Sequence, residues 1–245
     1  LIAAYVAVFL FYDMTRKIKS SPIIYGPLSA DYGKKFFDLF ITALPLGVTV
    51  SVNVLYQSIP RFMVDHYHGA AALGVFAGVS YFLVVGGTVA NAMAQSATPR
   101  LAKYFFSNAH AFNVLVIKLI FLASLLGFFS IAFAAIFADQ FLSLVYTPEF
   151  VGHRSLFVWV MILATLTYIS GVVGSALTAM QCFKIQACIS CFCLLVLFSF
   201  SYILIEPYGA LGGAYAMVVA YAIKILCELI SLFVFFKRQH GALKV

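Results

Sequence analysis

The sequence predicts an all-α protein: a polytopic transmembrane helix bundle. Hydrophobic residues make up 64% of the 245-residue chain and charged residues only 9%, and the mean hydropathy is +1.06. A soluble domain carries about 25% charged residues, because water must solvate its exterior. An exterior this apolar can be covered only by lipid. Membrane lipids are therefore the expected surroundings of the helices.

Six stretches are long enough to cross a bilayer, whose apolar core of about 30 Å needs about 20 helical residues. A seventh, residues 1–12, is too short, and we interpret it as the end of a helix that begins upstream. Residues 1–35 are thus expected to be a helix end followed by a linker, and residues 36–245 a six-helix bundle. The predicted spans lie near residues 38–60, 72–97, 114–137, 156–181, 185–205 and 210–236.

The segment after the second of these spans, residues 96–112, is less apolar. Pro99 interrupts it, and Arg100 and Lys103 lie on one helical turn beside the apolar Leu101 and Phe105. A helix with a basic and an apolar side is typical of the membrane interface. We therefore predict a break at Pro99 and a short interfacial helix.

Lysine and arginine are distributed unequally between the two ends of the spans. Cytoplasmic ends are enriched in these residues, and one side here carries only Arg61 and Arg154 outside the spans. The other side, with the C-terminus, is therefore predicted to be cytoplasmic. The basic residues behind the net charge of +7 then form a rim near anionic lipid. No nucleic-acid partner is therefore expected. The basic residues of the predicted cytoplasmic side are Arg16, Lys17, Lys19, Lys34, Lys35, Arg100, Lys103, Lys184, Lys237, Arg238 and Lys244.

Small residues at helical spacing predict close helix contacts, because lipid offers no hydrophobic drive for helices to associate. Glycines four residues apart occur at Gly74 and Gly78 and again at Gly209 and Gly213. A small-residue face is also predicted on the fourth full span, at Gly171, Gly174 and Ser175.

Polar residues inside the spans are the candidate functional residues, since each charge at the bilayer centre costs about 2.5–3.5 kcal/mol on insertion scales. In the first full span, polar side chains recur every four residues and trace one slanting stripe, which should face a polar cavity. The second span has a weaker polar face at Asn91 and Gln95, near its cytoplasmic end. The stripe consists of Thr49, Asn53, Gln57 and Arg61.

The last span carries Tyr221, Lys224 and Glu228 on one face. Lys224 lies about 18 Å along the helix, near mid-membrane, and Glu228 is one turn away. Two interpretations stay open. Either Lys224 and Glu228 form a structural ion pair, or Lys224 is a cation that lines a path for an anionic substrate and Glu228 modulates its charge.

No catalytic residue is predicted, because the sequence shows no nucleophile with a base, no paired catalytic carboxylates and no phosphate-binding loop. The protein is therefore not expected to be an enzyme. Cys188 and Cys191 have metal-ligand spacing but lie in an apolar span, where cysteine is a packing residue. The cluster from Asp65 to His68 is interpreted as a polar loop. Neither a metal nor a cofactor is predicted.

Several motifs resemble the polysaccharide (O-antigen, Wzx-type) flippases of the multidrug/oligosaccharidyl-lipid/polysaccharide exporter superfamily. They are GVFAG at 74–78, NAMAQSATPRLAKY at 91–104, LVYTPEF at 144–150, AMQCFKIQ at 179–186 and PYGALGGAYA at 207–216. The resemblance implies the C-terminal lobe of a twelve-helix protein in a bacterial inner membrane, with an N-terminal lobe as its partner. None of these motifs contains Arg61 or Lys224.

The resemblance also implies transport of an undecaprenyl-pyrophosphate-linked oligosaccharide from the cytoplasmic to the outer leaflet. Other polysaccharide assembly proteins are then possible partners. Arg61 and Lys224 would contact the pyrophosphate, and Asn53, Gln57, Asn91 and Gln95 the sugar hydroxyls. The alternatives are a drug/cation antiporter of the same superfamily, a membrane-embedded polysaccharide polymerase or ligase, and a scaffold lobe in which the polar stripe is sealed by other side chains.

Overall fold

The computed structural model describes residues 32–145 and 152–242, and every described element is a helix or a short turn. The chain divides into two compact units, Leu1–Thr42 and Ala43–Val245. All the predicted site residues belong to the second. The predicted helix end at residues 1–12 and the LVYTPEF motif beyond Val145 lie outside the described residues. The helices are the run Tyr32–Ser107, whose two arms are α1 (32–68) and α2 (70–107), then α3 (Ala109–Val145), α4 (Arg154–Ala179), α5 (Phe183–Tyr208) and α6 (Ala210–Ala242).

The first helical run is broken at Gly69, which has φ 78° and ψ 177°. Only glycine adopts this backbone conformation readily. The apolar part of the run, Gly47–Ser107, has 61 residues and would be about 90 Å long if straight, three times the bilayer core. Because Thr49 near one end and Gln95 near the other line the same cavity, the two arms must fold back on each other.

The prediction of an all-α membrane bundle is confirmed, with one difference in the count. Five helices of the described part are long and apolar enough to span a membrane, where the sequence predicted six full spans. The first of the five contains the break at Gly69, and its two arms correspond to the predicted spans 38–60 and 72–97.

The predicted break at Pro99 is wrong. Helix α2 continues through Pro99 to Ser107, and the chain is interrupted at Asn108, whose side-chain Oδ1 accepts a hydrogen bond of 3.0 Å from the Ala111 amide. Leu101 and Phe105 are buried in the core. Their burial holds the segment in the bundle instead of on the membrane surface.

Helix α4 is the most buried helix of the bundle. It packs against α3 and α6, and α5 packs against α6. Close approach depends on glycines: a Cβ at Gly127 would collide with Thr165, and one at Gly212 with the backbone carbonyl of Leu204. The close contact predicted for the 209–213 motif therefore occurs at Gly212 and also at Gly213, where a Cβ would lie 3.3 Å from the Phe76 ring. At Gly74 a Cβ would have open space, so no close helix contact forms there.

Large apolar side chains cover the outside of the bundle. Phe62, Phe121, Leu195 and Phe233 are all largely exposed. In water such a surface would be unstable, whereas in a bilayer it contacts lipid tails. The high hydropathy of the sequence therefore comes as much from the exterior as from the core.

Candidate functional site

A polar cavity of about 580 Å³ lies between α1, α2, α4 and α6, with one residue of α5. Its wall consists mainly of hydroxyl, amide and small side chains, although the bundle around it is apolar. The polar and charged residues of the wall are Thr49, Asn53, Gln57, Thr88, Asn91, Gln95, Thr167, Tyr168, Ser170, Ser175, Thr178, Gln186, Tyr221, Lys224 and Glu228.

The α1 stripe supplies one side of this wall. Thr49, Asn53 and Gln57 all line the cavity, because a spacing of four residues keeps them on one slanting face. Arg61, the fourth member of the stripe, does not line it. Arg61 instead lines, with Gln57 and Ser80, a separate small pocket of about 10 Å³, which has room for about one water molecule.

The α2 arm supplies the opposite side through Asn91 and Gln95. Gln95 also lines an adjoining space of about 580 Å³, which extends to Gln181 in the turn between α4 and α5. On the side of that turn, which we call the wide end, the polar cavity therefore adjoins this second space. On the side of Gln57, which we call the narrow end, it adjoins the small pocket at Arg61.

Lys224 on α6 is the basic residue among the described residues of the wall, and only 5% of it is exposed. Its Nζ donates a hydrogen bond of 3.0 Å to Asn53 Oδ1. The ammonium also lies 5.2 Å from the ring centre of Tyr56 and 5.4 Å from that of Tyr221, within the range of cation–π attraction. An amide oxygen and two aromatic faces therefore stabilise the charge away from bulk water.

Glu228, one turn along α6, is 1% exposed. Its Oε1 lies 4.0 Å from Lys224 Nζ, and its Oε2 accepts a hydrogen bond of 3.0 Å from Ser170 Oγ on α4. The two charges are thus paired, but at a distance where no short hydrogen bond joins them. Each instead has its short contact with a neutral group on another helix.

Sequence reasoning missed the α4 side of the cavity. Gly171 and Gly174 were expected to allow close helix contacts, and they do lie against other helices. A Cβ at these positions would be 3.6 Å from Asn91 Oδ1 on α2 and 3.2 Å from Gln186 Nε2 on α5, and both amides also line the cavity. Ser170 and Thr178 were not singled out at all. The available signal was their helical spacing with the two glycines, which places small and polar groups on one face.

Gln186 is the residue of α5 that reaches the wall, and it was also missed. Its Nε2 donates to the carbonyl of Gly174 at 3.4 Å, and its Oε1 accepts from Thr178 Oγ1 at 3.2 Å. These contacts fix the amide at the wide end of the cavity.

The remaining sequence candidates lie away from the cavity. Cys188 and Cys191 are exposed, and within the described residues no three histidine, cysteine or acidic side chains are grouped to hold a metal. Burial raises the pKa of the Cys182 thiol in the α4–α5 turn, which keeps it protonated and unreactive at neutral pH. Asp65 and His66 are exposed.

Comparison with solved structures identifies the fold. This is the fold of the MATE transporters. The chain is similar over 99% of its length to an outward-facing multidrug resistance MATE family transporter of the MOP superfamily (TM-score 0.68), to a MATE in a bent conformation (0.73) and to a proline-to-alanine point mutant of a MATE (0.70). The sequence identity is 16% in each case, and 53–54% of each of those chains is covered.

One similarity extends to sequence. The chain is 28% identical over 206 residues to the capsular polysaccharide biosynthesis protein CapF of Staphylococcus aureus, which covers 83% of this chain and 51% of that protein. The chain thus spans about half the length of the curated relative it matches. No family model matches it.

Proposed function

We propose that this chain is one lobe of a transporter that moves an undecaprenyl-pyrophosphate-linked oligosaccharide across a bacterial inner membrane. The observation that supports this most is Lys224, a cation kept almost out of bulk water yet on the wall of a polar cavity. Its pairing with Glu228 at 4.0 Å is not a short hydrogen bond. The ammonium has three N–H donors, of which one bonds to Asn53, so Lys224 can also bind an anionic head group that enters the cavity.

The wall suits both parts of such a head. A pyrophosphate is attracted to the ammonium of Lys224, and carbohydrate hydroxyls need groups that donate and accept. The amides of Asn53, Gln57, Asn91 and Gln95 do both. The resemblance of the sequence to polysaccharide flippases and the similarity to a capsular polysaccharide biosynthesis protein support the same substrate class.

The shape of the cavity suggests a direction of movement. If the C-terminus is cytoplasmic, as the distribution of basic residues predicts, the wide end at the α4–α5 turn opens toward the cytoplasm. The narrow end then places Arg61 at an outer gate, about 12 Å along α1 from Asn53. Rocking of two lobes about the cavity would pass the head from Lys224 to Arg61, with the second lobe supplied by the N-terminal half.

The rival functions make different demands on these residues. A scaffold lobe predicts a sealed polar stripe, but three members of the stripe line open space. A drug/cation antiporter predicts an acidic cavity, and the described wall contributes one carboxylate, Glu228, already paired with Lys224. The described part of the wall is therefore neutral overall and lacks the net negative charge that a cation antiporter predicts.

The test uses the full-length protein in a bacterium that lacks its own flippase. Lys224→Ala and Arg61→Ala should each lower export of lipid-linked sugar about tenfold or more, as expected when a charge-assisted hydrogen bond of about 1.5–3 kcal/mol is lost. Undecaprenyl-linked repeat units should accumulate inside the cells. Lys118→Ala is the matched control, because Lys118 is an exposed lysine on α3 outside the cavity. Normal export by both the Lys224→Ala and the Arg61→Ala variants, at matched amounts in the membrane, would refute the proposal.

A further inference from the structure

A second cleft lies behind the wall that α2 and α4 form around the polar cavity. It has a volume of about 570 Å³ and is lined by apolar side chains of α2, α3 and α4. Its lining residues on α3 run from Leu126 to Phe141, which corresponds to about 22 Å of helix, most of the thickness of a bilayer core. We call it the phenylalanine cleft.

Aromatic rings from three helices pack against one another in this cleft. Ring centres are 5.1 Å apart for Phe133 and Phe141, 5.3 Å for Phe82 and Phe141, and 5.5 Å for Phe82 and Phe157, all edge to face. Such contacts hold the rings in place. The cleft is therefore a built surface and not a gap between loosely packed chains.

Only one layer of side chains separates the cleft from the polar cavity. Tyr168 lines both spaces, and on α2 the adjacent Gly86 and Gly87 line the cleft and the cavity respectively. The Tyr168 hydroxyl occupies the volume that a Cβ at Gly86 would need. The missing side chain at Gly86 therefore allows Tyr168 to stand at the junction of an apolar and a polar space.

We propose that the phenylalanine cleft binds the polyprenyl chain of the substrate whose pyrophosphate–sugar head occupies the polar cavity, with Tyr168 beside the point where head and chain join. This inference rests on the proposed function. It requires that the apolar part of the substrate stays beside the protein while the head is inside it. It also requires that Tyr168, whose hydroxyl fills the gap at Gly86, moves aside where the chain passes between α2 and α4.

Hydrophobicity alone does not select a polyprenyl chain, because ordinary lipid tails around the protein are equally apolar. The polyprenyl chain is selected because it is covalently tethered to its head group. A chain attached to a head bound in the adjoining cavity has a high effective concentration at the cleft, and phospholipid tails lack that advantage. Dispersion contacts with the rings then add to the binding of the head.

Photo-crosslinking of the full-length protein in proteoliposomes tests this. A benzophenone-bearing phenylalanine analogue replaces Phe129, which lines the cleft, or Phe128, which does not. These neighbours are 62% and 64% exposed, so they sample the surrounding lipid equally. The probe is radiolabelled undecaprenyl pyrophosphate. We expect labelling at position 129 to exceed that at 128 by about tenfold, which is less than the roughly 10²–10⁴-fold gain that tethering can give. Excess unlabelled probe, but not phosphatidylglycerol, should compete.

Equal labelling at the two positions, or equal competition by phosphatidylglycerol, would show an ordinary lipid contact and overturn the inference. The proposed function would survive that result if Lys224→Ala still lost export. Conversely, the tether predicts that Lys224→Ala also lowers labelling at position 129. Selective labelling that Lys224→Ala leaves unchanged would contradict the tether, and normal export by Lys224→Ala and Arg61→Ala would contradict the proposed function separately.

Discussion

The Lys224–Glu228 pair allows its structural and functional interpretations to be separated by removing one charge and then both. Lys224→Met leaves the Glu228 carboxylate buried with Ser170 as its remaining short contact. Removing one partner of a buried pair costs about 3–5 kcal/mol. The lower end, about 3 kcal/mol, is expected here because the pair is 4.0 Å apart and Ser170 still donates to Glu228.

The double variant Lys224→Met/Glu228→Gln should recover most of that stability. Replacing a buried pair with neutral side chains of similar volume is often neutral or stabilising, and a Gln side chain can still accept the hydrogen bond from Ser170. Unfolding of the full-length Lys224→Met and double variants, measured by denaturant titration in detergent, should therefore differ by about 2–3 kcal/mol in favour of the double variant.

Export by the double variant then distinguishes the two interpretations. If the pair is only structural, the double variant should transport normally once its stability returns. If Lys224 binds the anionic head, transport should stay low in a protein that is folded and abundant in the membrane. A stable double variant with full export would refute our assignment of Lys224. A double variant as unstable as Lys224→Met would refute the energetic reasoning itself.

The remaining predictions concern the glycines of the bundle. Gly212→Ala should destabilise the protein by about 1–3 kcal/mol, typical of overpacking, because the new Cβ would meet the Leu204 carbonyl. Gly74→Ala, its matched control, should be neutral or stabilising by up to about 1 kcal/mol, since its Cβ has open space and alanine favours helix. Thermal unfolding in detergent compares the two, and equal losses would contradict the packing described at Gly212. Gly69→Ala should cost about 1–3 kcal/mol through backbone strain alone, because φ is 78° there and no atom lies near the new Cβ. A Gly69→Ala protein as stable as the parent would show that this bend is not strained.

The sequence predicted most of the fold because a bilayer leaves few choices: apolar segments of sufficient length must be helices. It did not predict how the helices end. Pro99 looked like a break, but burial of Leu101 and Phe105 overrides the local signal of the proline. Gly69 marks the real bend, and a single glycine near the polar Asp65–His68 segment gave no comparable warning.

The sequence predicted only those residues of the candidate site whose burial has a high free-energy cost. Asn53 and Lys224 were predicted as site residues because an amide or a charge inside a membrane span is costly unless it has a polar partner. The structure brings the two side chains into contact. Ser170 and Gln186 were not predicted, since a neutral hydroxyl or an amide near a helix end is unremarkable in sequence. Their roles as partners of Glu228 and Gly174 follow only from the tertiary arrangement.

The short contacts of the charged pair lead away from α6 in two directions. Lys224 reaches α1 through Asn53, while Glu228 reaches α4 through Ser170. The pair therefore links α6 to α1 and to α4, and these links resist sliding of the three helices past one another. A bundle linked in this way is suited to turning as a rigid body. Under the proposed function, the flexibility needed for transport would then reside between this lobe and the second one and not within this lobe.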